Sequence, residues 1–346
     1  MLVVITINHI EGNPLRALTY QPFGYVSAAE GFVFISGLLA GYVYGSDRYT
    51  KADLKRKVIG RVGLIALVWA VACSLIHIWN AAFPQFILID QSYLAALLFL
   101  PNPLGLTEIL GLYLFLVGLL YFYISLLRSG YWVWLLMACF FGWSLTVVPG
   151  IYDRAAALHH PFLDQTVHLL SIARGYAYQQ ANFSLLAWQF LFVTALILGY
   201  YRRQGRDFSR IYHPVPAILI AAFLLFQFLV RHGVIDLPMW KLLAARIQLA
   251  PARLLAFFGI VYLVCYGLKC LKQPLRCQPL ERLGRQSIYV YGFQLVYTQT
   301  LAVALLLWAD SGIQRLLIVA LALAGLYLTA ITTEQLKRRS VSRSPG

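Results

Sequence analysis

Charged residues are scarce in this sequence. Asp, Glu, Lys and Arg make up 12% of its 346 residues, whereas an ordinary soluble domain is about 25% charged. Apolar residues account for 60%, and the mean hydropathy is +0.71. Water cannot be the main solvent of a surface with this composition. The chain is therefore neither a soluble enzyme nor a nucleic-acid-binding domain.

Several common functional motifs are also missing. The five cysteines include no CxxC pair, so neither a disulfide framework nor a zinc site is expected. The sequence contains no GxxxxGK[ST] phosphate loop and no GxSxG nucleophile elbow. The first ten residues have no basic leader and no small-residue cleavage site, so we expect no secretory signal peptide.

Long apolar runs separated by Pro, Gly and charged residues are what the chain does contain. A helix needs about 20 apolar residues to cross a hydrocarbon core of about 30 Å. These runs predict an all-α, polytopic transmembrane helix bundle with about nine full spans. The spans lie at roughly 22–45, 58–81, 104–127, 130–148, 182–201, 214–232, 251–271, 286–309 and 312–332. A half-span, MLVVITINHI, precedes them and would bring a full-length form to ten crossings.

The distribution of lysine and arginine predicts the orientation. The loop SDRYTKADLKRKVIGR is strongly basic and should be cytoplasmic. Alternation from this loop puts both termini in the cytoplasm, with one membrane domain at 1–335 and a basic tail at 336–346. The net charge of +15 then reflects cytoplasmic loops and anionic lipid. The alternative is that some of these basic groups hold the phosphates of a cytoplasmic nucleotide-containing donor. A few basic residues fall at predicted outer ends instead: Arg16, Arg154, Arg174, Arg231, Lys241, Arg246, Arg253 and Arg315.

Two residues are candidates for chemistry. His9 lies where the half-span meets an outer loop, and a histidine there can act as a general base or only as an interfacial residue. Glu30 lies inside an apolar span, where a carboxylate costs about 2.5 to 3.5 kcal/mol. We therefore expect Glu30 to face the bundle interior and to have a partner. Its function is either catalytic or confined to packing.

Other features of the spans predict packing and a polar cavity. Small residues four apart, such as Gly37 and Gly41, should let a second helix approach closely. Glu108 and Gln189 enter the membrane from the outer side, and Gln294 lies nearer the inner side. Together they are consistent with a polar cavity that opens outward, which the outer loop 149–181 could cap.

Three motifs give the chain a family resemblance. The runs LRALTYQPFGYVSAAEGFVFISGLLAGYVYG, NFSLLAWQFLF and LGRQSIYVYGFQL resemble the OpgC family, membrane proteins associated with succinylation of osmoregulated periplasmic glucans. That family is similar in design to the wider acyltransferase-3 group. The resemblance implies a multi-pass protein of the bacterial inner membrane. It also implies an O-acyltransferase that uses acyl coenzyme A, with succinyl coenzyme A as first candidate, and a periplasmic glucan or other glycan as acceptor.

The resemblance also implies roles for individual residues. His9 matches the catalytic histidine of the wider group, although the basic residue that precedes that histidine has no counterpart here. We therefore expect the natural start to lie upstream. Glu30 matches the acid of AAEGFVF and would orient the imidazole. Trp188 and Gln189 match AWQ, and with Glu108 and Gln294 they are the expected substrate-binding residues.

No metal and no nucleic-acid partner are expected, whereas membrane lipid is. The main rival interpretation is a transporter or flippase for a glycan or small anionic solute, because polar residues inside spans also line substrate pathways. A third interpretation is a non-catalytic partner in a glycan-synthesis complex.

Overall fold

The computed structural model describes residues 1–21, 24–84, 108–156, 183–237, 240, 243–271 and 276–342. Within these ranges the chain is helical and contains no strand. The longer helices are Ala28–Tyr44, Lys51–Ala82, Glu108–Gly118, Leu120–Arg128, Trp132–Ala156, Leu185–Arg203, Pro214–Arg231, Pro251–Cys270, Ser287–Gln299 and Gly312–Ser342. Shorter helices cover Leu2–His9, Arg16–Thr19, Ser209–Ile211, Gln278–Arg285 and Leu301–Leu306.

Seven helical segments in the described residues are long and apolar enough to cross a membrane. They are Lys51–Ala82, Ile109–Arg128, Leu185–Arg203, Pro214–Arg231, Pro251–Cys270, Ser287–Leu306 and Gly312–Arg339. Two further apolar helices, Ala28–Tyr44 and Trp132–Val147, are shorter. The predicted all-helical fold is confirmed for the described residues, and these seven segments fit predicted spans by their length and composition. The count of nine spans and a half-span stays a prediction.

The first predicted span begins later in the structure than the apolar run did in the sequence. The helix starts at Ala28 rather than near residue 22, because Ser27 and Glu30 form a capping box. At the other end of the chain, the last helix continues to Ser342 and includes part of the predicted tail.

The chain divides into two compact units. Unit 1 contains Met1–Pro22, Gly63–Leu100 and Gln273–Gly346, and unit 2 contains Phe23–Val62 and Pro101–Lys272.

In unit 1, the N-terminal helix is held by a core that it shares with the C-terminal helices. The Tyr297 hydroxyl donates to the Ile318 carbonyl at 3.0 Å and ties two of these helices together. The buried members of the core are Ile7, Ile10, Tyr297, Ala302, Ala309, Ile318, Val319 and Ala322. Burial of Ile7 and Ile10 on either side of His9 fixes the backbone that carries the histidine.

In unit 2, the helix Ala28–Tyr44 packs against Leu185–Arg203 at very short range. A Cβ atom on Gly41 would lie 2.0 Å from the Leu196 carbonyl oxygen, and one on Gly37 would lie 2.4 Å from the Phe192 oxygen. Real Cβ atoms cannot approach backbone so closely, so only glycine allows this contact. The predicted close packing at Gly37 and Gly41 is confirmed.

Candidate functional site

His9 is the last residue of the helix Leu2–His9 and is partly exposed. Its Nδ1 atom lies 2.6 Å from the carbonyl oxygen of Ile5. A carbonyl oxygen can only accept a hydrogen bond, so the neutral imidazole carries its proton on Nδ1. The lone pair of the ring is then on Nε2. This tautomer suits a general base that acts through Nε2.

The turn that follows His9 is fixed by one buried amide. The Nδ2 group of Asn13 donates to the carbonyl oxygens of Ile7, at 2.9 Å, and of Ile10. The Oδ1 atom accepts from the Arg16 backbone N–H at 3.1 Å. Carbonyl groups at a helix end otherwise lack partners inside the protein. Asn13 therefore holds the chain in one conformation immediately after the histidine.

Glu30 lies in unit 2 with 0% of its surface exposed. Its Oε2 atom accepts from the Ser27 backbone N–H at 3.0 Å and from the Ser27 hydroxyl at 2.5 Å. Its Oε1 atom accepts from Nε of Arg253 in a short ion pair. The prediction that Glu30 faces the interior and has a partner is confirmed. Its catalytic role stays a prediction.

Arg253 is the partner that sequence reasoning missed. It lies in the first turn of Pro251–Cys270 and is only 2% exposed. Its Nη1 lies 3.5 Å from the Ala244 carbonyl oxygen, and its Nη2 has no hydrogen-bond partner in the described residues. The distribution of lysine and arginine predicts Arg253 only as a basic residue at an outer helix end. A usable signal was present, because an arginine inside an apolar helix and a buried Glu30 each need an opposite charge.

Gln227 is a second residue that the sequence interpretation missed. It is 0% exposed near the end of Pro214–Arg231. Its Nε2 donates to the Ala252 carbonyl oxygen at 2.8 Å, which fixes the orientation of the amide. Its Oε1 has no partner among the residues that the structure describes. Gly24 lies against it, since a Cβ there would be 3.2 Å from Gln227 Cβ.

Trp188 holds the segment that precedes the Arg253 helix. Its Nε1 donates to the Ile247 carbonyl oxygen at 3.2 Å, and the Ser184 N–H donates to the same oxygen at 3.0 Å. The ring is fully buried and packs edge-on against Phe183 at 4.6 Å. Gln189, the next residue, contacts the Cys139 thiol at 3.6 Å. The substrate-binding roles of Trp188 and Gln189 stay predictions.

A family model described as OpgC protein matches residues 1–338. The chain belongs to the OpgC protein family. The resemblance inferred from the three motifs is thereby confirmed across nearly the whole sequence, whereas the relation to the acyltransferase-3 group stays a prediction. No curated protein and no solved structure matches the chain.

The candidate residues of this OpgC-family chain are divided between the two units. Gln294 belongs to unit 1 with His9, is 1% exposed, and has an Oε1 atom without a partner in the described ranges. Glu30, Trp188 and Gln189 belong to unit 2. Glu108 begins the helix Glu108–Gly118, and the structure describes its backbone but not the surroundings of its side chain.

The loop expected to cap a site, 149–181, lies outside the described residues from position 157 onward. Its capping role and the predicted polar cavity that opens outward both stay predictions.

Proposed function

We propose that this chain is a membrane acyltransferase. It moves an acyl group, with succinyl as first candidate, from a cytoplasmic acyl coenzyme A to a hydroxyl of a periplasmic glycan. The observation that carries the proposal is the OpgC family match, because it extends over residues 1–338 rather than over one motif. The seven apolar helical segments support a reaction between a donor and an acceptor on opposite sides of a membrane.

The tautomer of His9 supports its role in the reaction. Nε2 takes the proton from a sugar hydroxyl while the hydroxyl oxygen attacks the thioester carbonyl carbon. The carbon–sulfur bond then breaks, the coenzyme A sulfur leaves with the electron pair, and the imidazolium returns the proton to it. The products are an ester and free coenzyme A. The hydrogen bond from Nδ1 to the Ile5 oxygen keeps the imidazole oriented through both proton transfers.

Glu30 and Gln189 have secondary roles in this proposal. The catalytic role predicted for Glu30 needs a test separate from that of His9, because Ser27 and Arg253 engage its two oxygens. Gln189 is the candidate donor to the developing oxyanion, since the contact of its Nε2 with the Cys139 thiol at 3.6 Å is a weak one.

The proposal is tested with membrane vesicles that contain the full chain. Labelled succinyl coenzyme A and a neutral glucan are supplied on defined sides, and mass analysis of the glucan measures the transferred label. We expect label on the glucan only when the coenzyme A ester reaches the cytoplasmic face. The His9→Ala variant should transfer the label about 10² to 10⁴-fold more slowly at an unchanged protein level. The matched control is His232→Ala, because His232 is exposed at the end of another helix.

Two outcomes contradict the proposal. Glucan that crosses the membrane without modification indicates a transporter. Transfer at the wild-type rate in the His9→Ala variant removes the histidine from the reaction.

A further inference from the structure

We propose that Gln227, Trp240 and Arg253 form a binding site in unit 2 for the hydroxyl groups of a neutral carbohydrate. Assigning that carbohydrate to the acceptor glycan rests on the proposed function, whereas the binding itself does not. The proposal rests on three buried polar atoms that the described part of the chain leaves without partners.

Backbone contacts place these three residues in one neighbourhood. Arg253 Nη1 approaches the Ala244 carbonyl oxygen at 3.5 Å, and the Ala244 N–H donates to the Trp240 carbonyl oxygen at 3.0 Å. Gln227 bonds the carbonyl oxygen of Ala252, the residue immediately before Arg253. The residues thus converge on the segment that leads into the Pro251–Cys270 helix.

Aromatic packing also links Trp240 to the helix that carries Gln227. The Trp240 ring lies 5.0 Å from the ring of Phe226, which directly precedes Gln227 in the chain. A second contact, to Phe223 at 6.3 Å, extends this apolar wall. The site therefore combines a few polar atoms with aromatic surface, as small-molecule sites generally do.

The unpartnered atoms are Nη2 of Arg253, Oε1 of Gln227 and Nε1 of Trp240. A buried polar group without a partner costs about 1–3 kcal/mol, so native structures rarely leave one unsatisfied. The indoles of Trp69 and Trp79 in unit 1 lack a partner as well, whereas two other indoles of unit 2 have one. Trp143 donates to the Leu249 oxygen at 3.0 Å and Trp188 to the Ile247 oxygen at 3.2 Å.

The neighbouring charges decide what kind of ligand fits. Glu30 already neutralises Arg253, so the pair has no net charge with which to attract an anion. A carboxylate or phosphate at Nη2 would also bring a second negative charge close to Glu30, which is unfavourable in a buried place.

The hydrogen-bonding pattern points to a hydroxyl group. The site offers donors on Arg253 and Trp240 and an acceptor on Gln227. A hydroxyl group both donates and accepts, and it carries no charge. A carbohydrate supplies several hydroxyls with fixed spacing on an apolar ring, which matches polar atoms beside aromatic side chains.

Binding of a neutral β-glucan oligosaccharide to the purified full chain tests the proposal. Calorimetry is performed without any acyl donor, in a detergent whose headgroup is not a sugar, since a glycoside headgroup would compete. We expect saturable binding. The Trp240→Phe variant keeps the ring but loses the N–H, and it should bind about tenfold more weakly. The matched Trp143→Phe variant loses an N–H that already has a partner, and its affinity should change less than about twofold.

A double variant tests the site even if removal of either charge alone unfolds the protein. Replacing Glu30→Gln and Arg253→Met together removes the ion pair without leaving one charge buried. We expect this variant to elute as a folded protein in size-exclusion chromatography and to lose glucan binding. Retention of wild-type affinity in the double variant overturns the site.

Glycolipid-containing and glycolipid-free vesicles distinguish the source of the sugar. Binding of a glycolipid headgroup in place of the soluble glucan, with the same loss in Trp240→Phe, supports the hydroxyl site and assigns its sugar to lipid. No saturable binding to either probe means that water alone fills the site, and this overturns the proposal. Glucan binding without acyl transfer contradicts only the proposed function, and transfer with equal affinity in both tryptophan variants contradicts only this site.

Discussion

Two polar regions of the chain differ in how completely their hydrogen bonds are formed. In unit 1, the turn after His9 uses the Asn13 amide to satisfy two carbonyl oxygens and a backbone N–H. In unit 2, the cluster around Glu30 and Arg253 leaves an arginine Nη2 and the Gln227 Oε1 without partners in the described residues. The first region therefore has a fixed backbone conformation, whereas the second keeps polar atoms that could still form hydrogen bonds.

The largest expected effect is on the rate of acyl transfer when His9 is replaced, because stability and glucan binding should not change with it. Loss of a general base reduces a rate by about 10² to 10⁴-fold. We expect His9→Ala to lower acyl transfer by this factor, with thermal unfolding and glucan binding of the purified chain nearly unchanged. Parallel measurement of rate, unfolding temperature and affinity checks the expectation. A large drop in unfolding temperature would show instead that His9 acts mainly in folding.

Removing one member of the Glu30–Arg253 pair should give the largest loss of stability. The Glu30→Ala variant leaves a buried, unpaired guanidinium, which costs about 3–5 kcal/mol. Denaturant unfolding in micelles measures this loss. The exposed pair of Glu281 and Arg285, 3.8 Å apart, provides the control, and Glu281→Ala should change stability by less than about 1 kcal/mol. Equal effects of the two changes would contradict the buried pair as a structural element.

Adding a methyl group at the close glycine contact of unit 2 should have an intermediate effect on stability. The Gly41→Ala variant puts a methyl group 2.0 Å from the Leu196 oxygen, and such overpacking costs about 1–3 kcal/mol. Gly60 has no atom within 4 Å of its would-be Cβ. The matched Gly60→Ala variant should be neutral or up to about 1 kcal/mol more stable, because alanine favours the helix. Thermal unfolding of both variants compares them directly.

The smallest expected effect concerns the turn after His9. Asn13→Ser keeps a neutral oxygen that can accept from Arg16 but loses the amide donors to Ile7 and Ile10. We expect a loss of about 1 kcal/mol, since each such bond contributes about 0.5–1.5 kcal/mol. Hydrogen exchange should become faster at residues 7–10 and stay unchanged in unit 2. Unchanged exchange in this turn would mean that Asn13 does not fix the His9 backbone.

Much of the fold could be predicted from sequence because it depends on local pattern. Apolar runs long enough for a bilayer predicted the long helices, and glycines four apart predicted the close approach at Gly37 and Gly41. Helix starts were less accessible. The Ser27 and Glu30 capping box, which begins the helix at Ala28, lies inside an otherwise continuous apolar run.

The candidate site was only half predictable. The sequence indicated that a carboxylate at Glu30 needs a partner, but several arginines at predicted outer ends could have supplied it. Arg253 lies 223 positions away, and only the packing of the helices brings the two together. Gln227 belongs to no recognisable sequence motif. It stands out only in the structure, because it is buried and its Oε1 has no hydrogen-bond partner among the described residues.

The sequence by itself determined that the chain needs an apolar environment, which family it belongs to, and that Glu30 needs a partner. These follow from composition, motifs and the cost of an isolated charge in an apolar span, none of which requires knowledge of neighbours. The tertiary structure alone decided which cation pairs with Glu30, which backbone oxygen Nδ1 of His9 faces, and which buried atoms of the described residues lack partners. Hydrogen bonds form over about 3 Å, and distances on that scale between residues far apart in sequence depend on how the helices pack.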